Sequence, residues 1–272
     1  MSKLLAPKLE NNYSYFLRVL AFLAEQKIAT ANQIEKYCFV DASNGYMWKL
    51  LNKLRQARLI EAKELRFPSK RKTSGFYLSK LGLKELREQS QMEIEDFQIV
   101  SNSPYHDITL GDLRIVFSQI QECRYFLTEN LIRSKIIEND LPEMSVFRSY
   151  RCDSAALMKI NNQNLWLSME YERSQKSYSR YVQRIKNWYL AENLTGILLV
   201  AENDSLIQMM NKIDLATLPN LQRKILYISK GQILSANKKV QFFNCQKEPL
   251  TFNFGESLNI QYPILNQTLA KP

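Results

Sequence analysis

The sequence has 272 residues, 45% of them hydrophobic and 24% charged, with a net charge of +10. Those values suit a globular chain of about two domains, and no run approaches the roughly 18 apolar residues of a membrane span. A single histidine, His106, excludes multi-histidine zinc sites, and Cys38, Cys123, Cys152 and Cys245 lack the CxxC spacing of a zinc ribbon or redox pair.

The N-terminus, MSKLLAPKLENN, has no apolar core followed by a small-residue cleavage site, so a cytoplasmic, non-membrane protein is expected. The positive charge is concentrated. Residues 1–90 hold 17 Lys and Arg against 8 Asp and Glu, and residues 91–272 hold 20 against 19. A basic module of this kind points to a phosphate-rich partner.

Tyr15, Phe16, Val19, Leu20, Phe22 and Leu23 recur at helical spacing and predict a helix over 13–26. Thr30 is placed to cap a short helix over 31–37. After the turn-forming residues Asp41-Ala42-Ser43-Asn44-Gly45, a third helix is expected over 44–57, with Met47, Leu50, Leu51 and Leu54 inward. Leu59 and Ile60 open a strand, residues 66–75 form a basic turn, Phe76-Tyr77-Leu78 return as a strand, and a helix follows over about 79–88. Three helices, a hairpin with a basic tip and a closing helix read as a winged helix-turn-helix, here residues 10–90. Its third helix would enter the major groove with Asn44, Tyr46, Lys49, Lys53 and Arg55, while Lys70, Arg71 and Lys72 would lie along phosphate.

Residues 91–104 read as a polar linker, with the boundary near 101–104. From His106, a helical pattern carries Ile108, Leu110, Leu113, Val116, Phe117 and Ile120; the mixed segment 125–152 is expected to hold a strand. Strands over 153–160 and 165–172 flank a turn at 161–164, followed by a helix over 177–192, a buried strand over 196–201, a helix over 204–213, and strands over 225–228 and 239–243. Residues 246–272 read as a tail. The order helix, three strands, helix, strand is that of a restriction-endonuclease-like, or PD-(D/E)xK, domain over 105–245. The fold class expected for the chain is thus α+β or α/β: a winged helix followed by this domain.

The chemistry is expected at Asp153, Glu170 and Glu172. Glu170 and Glu172 are two apart on a strand and share a face, and Asp153 begins the preceding strand. Three converging carboxylates repel one another unless a cation neutralises them, and Mg²⁺ or Mn²⁺ prefers such oxygen ligands. Against the (Asp/Glu)-x-Lys pattern of these nucleases, Glu172 stands where lysine is usual, and Lys176 in the next loop could return the positive charge. His106 and Asp112 could approach from the first helix of the domain, and Arg180 and Arg184 could hold phosphate beside the cut.

His-x5-Asp-Leu-Arg (106–114), Cys-Asp-Ser-Ala (152–155) and Glu-Tyr-Glu-Arg-Ser-x-Lys-Ser (170–177), behind a winged helix, resemble the replication-relaxation family and the related MobC-type relaxases of mobilisable plasmids and integrative elements. The resemblance covers about residues 13–230. It implies a metal-dependent endonuclease that nicks one strand of double-stranded DNA at a transfer origin to start conjugative mobilisation, alongside other relaxosome proteins and a coupling protein. By this resemblance Asp153 and Glu170 would bind metal, Glu172 would complete the site or act as base, and Lys176 would stabilise charge. The alternatives are a catalytically inactive DNA-binding accessory or replication-control protein, and a transcriptional regulator.

Overall fold

The structure, a computed structural model, describes residues 14–66, 72–90, 97–134, 142–217, 223–256, 258–260 and 262. It is an α+β protein with ten helices and ten strands among the described residues. They fall into two compact units. The described residues up to Gly111, with Arg133, Ser134 and Tyr262, form the first; those of 112–132 and 142–260 form the second.

In the first unit, α1 (Tyr15–Gln26) buries every residue from Val19 to Gln26 and begins at Ser14, whose hydroxyl accepts from the Leu17 N–H. The two-residue β1 (Ala29–Thr30) leads straight into α2 (Ala31–Cys38). Thr30 and Gln33 form a reciprocal capping box, so the expected N-cap satisfies two amide donors that a helix start leaves open. Then α3 (Asn44–Gln56) buries Met47, Leu50, Leu51 and Leu54, the four positions the helical spacing selects. It ends where Arg58 takes a left-handed conformation, φ 56°, and the Leu59 N–H reaches back to the Leu54 carbonyl at 2.9 Å. Strands β2 (Ile60–Arg66) and β3 (Lys72–Leu78) pair antiparallel, and β1 adds to β3, giving the order β1-β3-β2. α4 (Lys80–Ser90) packs against α1; an added Cβ on Gly82 would come within 2.1 Å of the Leu59 carbonyl oxygen, so only glycine allows that approach. Tyr262 is buried here as well, edge-on to Tyr37, with its hydroxyl donating to the Tyr37 carbonyl at 3.2 Å.

The chain passes between the units within α5 (Pro104–Phe117). The second unit is built on a seven-stranded mixed sheet of order β10-β9-β8-β7-β6-β5-β4. β4 (Cys123–Thr128), β5 (Ser154–Ile160) and β6 (Gln163–Glu172) form an antiparallel meander. Two short helices, α6 (Glu129–Arg133) and α7 (Pro142–Ser149), interrupt it between β4 and β5, where the sequence pattern offered only a mixed segment. The β5–β6 turn is tighter than the four residues expected. Ile160 pairs with Gln163, and only Asn161 and Asn162 turn the chain, both with positive φ (50° and 64°). That is the conformation two-residue hairpins need and asparagine tolerates.

After β6 the chain crosses through α8 (Tyr178–Leu190) to β7 (Gly196–Ala201), which runs parallel to β6, and through α9 (Asp204–Thr217) to β8 (Ile225–Ser229), parallel to β7. α10 (Lys230–Ser235) leads to β9 (Lys239–Phe243) and β10 (Pro249–Asn253). β10 lies within the stretch read from sequence as a tail. Beside it, Ile120 bridges Phe254 and the Gln121 N–H donates to the Asn253 carbonyl at 2.8 Å, so the approach to edge strand β4 meets the exit of edge strand β10. No described helix is long and apolar enough to cross a membrane.

Candidate functional site

The second unit holds the carboxylates at the end of the β5–β6 hairpin away from its turn. The last paired position is Ser154 with Met169, so Asp153 stands one residue further, level with Glu170. Ser168, Glu170 and Glu172 alternate onto one face of β6, and all three are buried. Asp153 is fixed from the backbone: the Tyr171 N–H donates to its Oδ2 at 2.8 Å. Tyr171 points to the other face, where its hydroxyl donates to Glu202 and Glu202 pairs with Lys230 at 3.1 Å. A cluster on one face of the sheet thereby steadies the amide that orients Asp153 on the other.

α8 brings the cations. Ser177 caps it, accepting from the Arg180 N–H, and Tyr181, Ile185, Trp188 and Tyr189 form its buried stripe. Arg184 lies beside that stripe. Its Nη2 donates to Glu170 Oε2, and its Nη1 lies 3.3 Å from Glu172 Oε2. Its guanidinium rests over the Trp188 ring, 4.6 Å from the centroid. Lys176 Nζ reaches Glu172 Oε1 at 2.9 Å. The loop holding Lys176 is pinned by Tyr181, whose hydroxyl accepts from the Lys176 N–H and donates to the Ser174 carbonyl.

The two glutamates are therefore unequal. Glu172 has a cation on each oxygen. Glu170 has one cation on Oε2, while its buried Oε1 has no hydrogen-bond partner among the described residues. Burial, reinforced by the charge of Asp153, pushes the Glu170 carboxyl up to about 8 against the pull of Arg184. Burial also drives the neighbouring Cys152 thiol far up, helped by Glu170, which makes that cysteine an inert packing residue.

Among the described residues no group of three or more His, Cys, Asp and Glu side chains gathers as a metal-ligand set. The expected trio of Asp153, Glu170 and Glu172 narrows accordingly, because Glu172 is already neutralised by Lys176 and Arg184. Asp153 and Glu170 still fit a divalent cation. They supply hard oxygen donors, the charge of Asp153 raises the cost of ionising Glu170, and Oε1 of Glu170 is a buried acceptor left open. Arg180 is exposed on α8 and touches neither glutamate in the described contacts. His106 pairs with its neighbour Asp107, Nδ1 to Oδ1 at 3.2 Å, in the first unit, and Asp112 is half-buried on α5.

In the first unit, Asn44, Tyr46, Lys49, Lys53 and Arg55 are all exposed on α3. Gly45, Lys49, Asn52 and Gln56 lie opposite the buried stripe, with Tyr46 and Lys53 to one side and Trp48 and Arg55 to the other. Asn52 is one of the polar positions that the helical spacing turns outward, whereas Trp48 carried no such signal in the sequence. Trp48 is 44% exposed yet meets Phe76 edge-on, an anchored aromatic beside the polar face. Lys72 is exposed and pairs with Glu64 across the β2–β3 ladder at 3.3 Å; Lys70 and Arg71 lie outside the described residues. No protein-family model, curated protein or solved structure matches the chain.

Proposed function

We propose that the protein is a DNA-binding nicking endonuclease of the relaxase type. Its first unit would act as a winged helix-turn-helix and its second as a restriction-endonuclease-like domain. The observation that carries this reading is the return of Lys176 to Glu172. The lysine missing from the (Asp/Glu)-x-Lys pattern is supplied four residues on, with its ammonium 2.9 Å from the carboxylate that stands in its place. The element order supports it: a helix, the β4-β5-β6 meander, a crossover helix and a parallel strand, with Asp153 and Glu170 level on adjacent strands.

In this reading Asp153 and Glu170 hold a Mg²⁺ or Mn²⁺ ion, which when bound would acidify a water and offset charge on a phosphate. The chain's own part is separate. Tyr171 orients Asp153, Lys176 places a positive charge beside the reacting phosphate, and Glu172 keeps that lysine in position. The polar face of α3 would enter the major groove of double-stranded DNA at a transfer origin, with the β2–β3 hairpin along the backbone. Relaxosome and coupling proteins would then act on the nicked strand.

The test is conversion of supercoiled plasmid carrying the DNA beside the protein's own gene to open circle, with Mg²⁺ or Mn²⁺. Wild type should nick at one mapped position, and Asp153→Ala and Glu170→Ala should bind the same DNA without cutting. One observation favours a second reading: both glutamates are already ion-paired within the protein. An accessory or regulatory protein with a metal-free nuclease-like domain would bind the DNA in a shift assay and cut with neither metal.

A further inference from the structure

We propose that Arg184 is a built-in counter-cation that a divalent metal must displace from Glu170, and that the displaced guanidinium then holds a phosphate of the DNA strand. The proposal rests on the reading of Asp153 and Glu170 as metal ligands.

One guanidinium bridges two carboxylates that are two apart on a strand, and among the described residues it is the one cation that pairs with Glu170. Glu172 would keep Lys176 if Arg184 left; Glu170 would keep no cation among the described residues. A buried carboxylate stripped of its cation is costly, so Glu170 releases Arg184 only when another positive charge, a metal ion or a proton, takes its place. A divalent ion seated between Asp153 and the open Oε1 of Glu170 is such a charge.

Arg184 also has somewhere to go. Its side chain is 34% exposed, and it lies one turn beyond the exposed Arg180 on the same helix. Two arginines on one face make a planar-donor pair suited to successive phosphates. Leaving would uncover the Trp188 ring on which the guanidinium rests, which gives the exchange an optical signature.

Metal occupancy can be measured without nicking, from free Mn²⁺ by electron paramagnetic resonance. Wild type, Arg184→Gln, Arg184→Lys and Asp153→Asn are compared. A competing internal cation lowers apparent affinity by the fraction of protein it occupies. Arg184→Gln should therefore bind Mn²⁺ about tenfold more tightly than wild type, with Arg184→Lys between them and Asp153→Asn much weaker. Saturating Mg²⁺ should change Trp188 fluorescence in wild type but not in Arg184→Gln, and Trp188→Phe assigns the signal.

Because Arg184→Gln leaves two buried glutamates short of a cation, its melting point is followed as well, and Mn²⁺ should raise it more than it raises that of wild type. If wild type binds Mn²⁺ through Asp153 while Arg184→Gln binds equally or less well, the exchange is refuted and the metal site stands. If neither wild type nor Arg184→Gln binds, the metal site itself fails and the exchange with it. Tight binding by Arg184→Gln alone would support the exchange in its strongest form.

Discussion

Glu170 is where one side chain has the most leverage. Its carboxyl lies at about 8 instead of the ordinary 4.5, because burial and Asp153 outweigh Arg184. A raised acid binds its proton more tightly folded than unfolded, so stability falls as pH climbs from about 4.5 through about 8. Glu170→Gln, neutral throughout, should lack that fall. In metal-free buffer the variant should gain on wild type in melting temperature across this window and hold a constant lead above it. Parallel curves for the two proteins would contradict a protonated Glu170. Lys176 offers a second test. Lys176→Met should slow nicking by roughly a hundredfold, the usual scale for losing one charge-stabilising donor, while Mn²⁺ occupancy persists. A matching loss of Mn²⁺ binding would make Lys176 a support for the ligands, not a partner of the phosphate.

At the level of elements, α3 separates a buried stripe from an exposed polar face, and that makes its role testable without harming the fold. Lys49→Ala and Lys53→Ala alter exposed side chains, so each should leave thermal stability within about 0.5 kcal/mol of wild type. Each should also weaken DNA binding across sequences and lower the salt slope of affinity by about one unit. Unchanged slopes would remove α3 from the DNA interface. The same stripe explains why much of the secondary structure was legible in sequence. Met47, Leu50, Leu51 and Leu54 repeat at helical period, and the run from Gly196 to Ala201 is apolar throughout, so local pattern suffices for α3 and β7. It does not suffice for β1, α6, α7 and α10, which have two to eight residues and too few repeats to show a period. β10 is invisible for a different reason: its strand identity comes from pairing with β9, and the Asn- and Gln-rich sequence around it suggested only a tail. At the site, Asp153, Glu170 and Glu172 could be read because strand alternation is local. Arg184 could be named but not given its role, since its bond to Glu170 crosses 14 positions from helix to strand.

On the scale of the whole chain, the second unit depends on a strand delivered near its end. Glu122, just ahead of β4, accepts from both the backbone and side-chain N–H groups of Asn253 at 3.0 Å, and Asn259 donates to the Cys123 carbonyl at 3.0 Å. Phe252, from β10, is fully buried edge-on against Phe242. Ending the chain after residue 248 would remove these contacts together. The shortened protein should lose several kcal/mol, roughly what deleting one buried phenylalanine costs with the pairing added, and should melt well below wild type. An unchanged melting temperature would show that β10 adds nothing to the sheet.

The meeting of Ile120 with Phe254 also bears on how the protein is born. Glu122 and Asn253 are 131 positions apart, a separation that a chain emerging from a ribosome spans only once residue 253 has been made. Until then the approach to β4 lacks its partner, and pairing over such a distance is intrinsically slow to nucleate. Completion of the second unit's sheet is thus tied to the synthesis of residues 249–253: a ribosome stalled before codon 249 would carry a nascent chain whose sheet cannot finish, exposed to proteases and chaperones for as long as the stall persists.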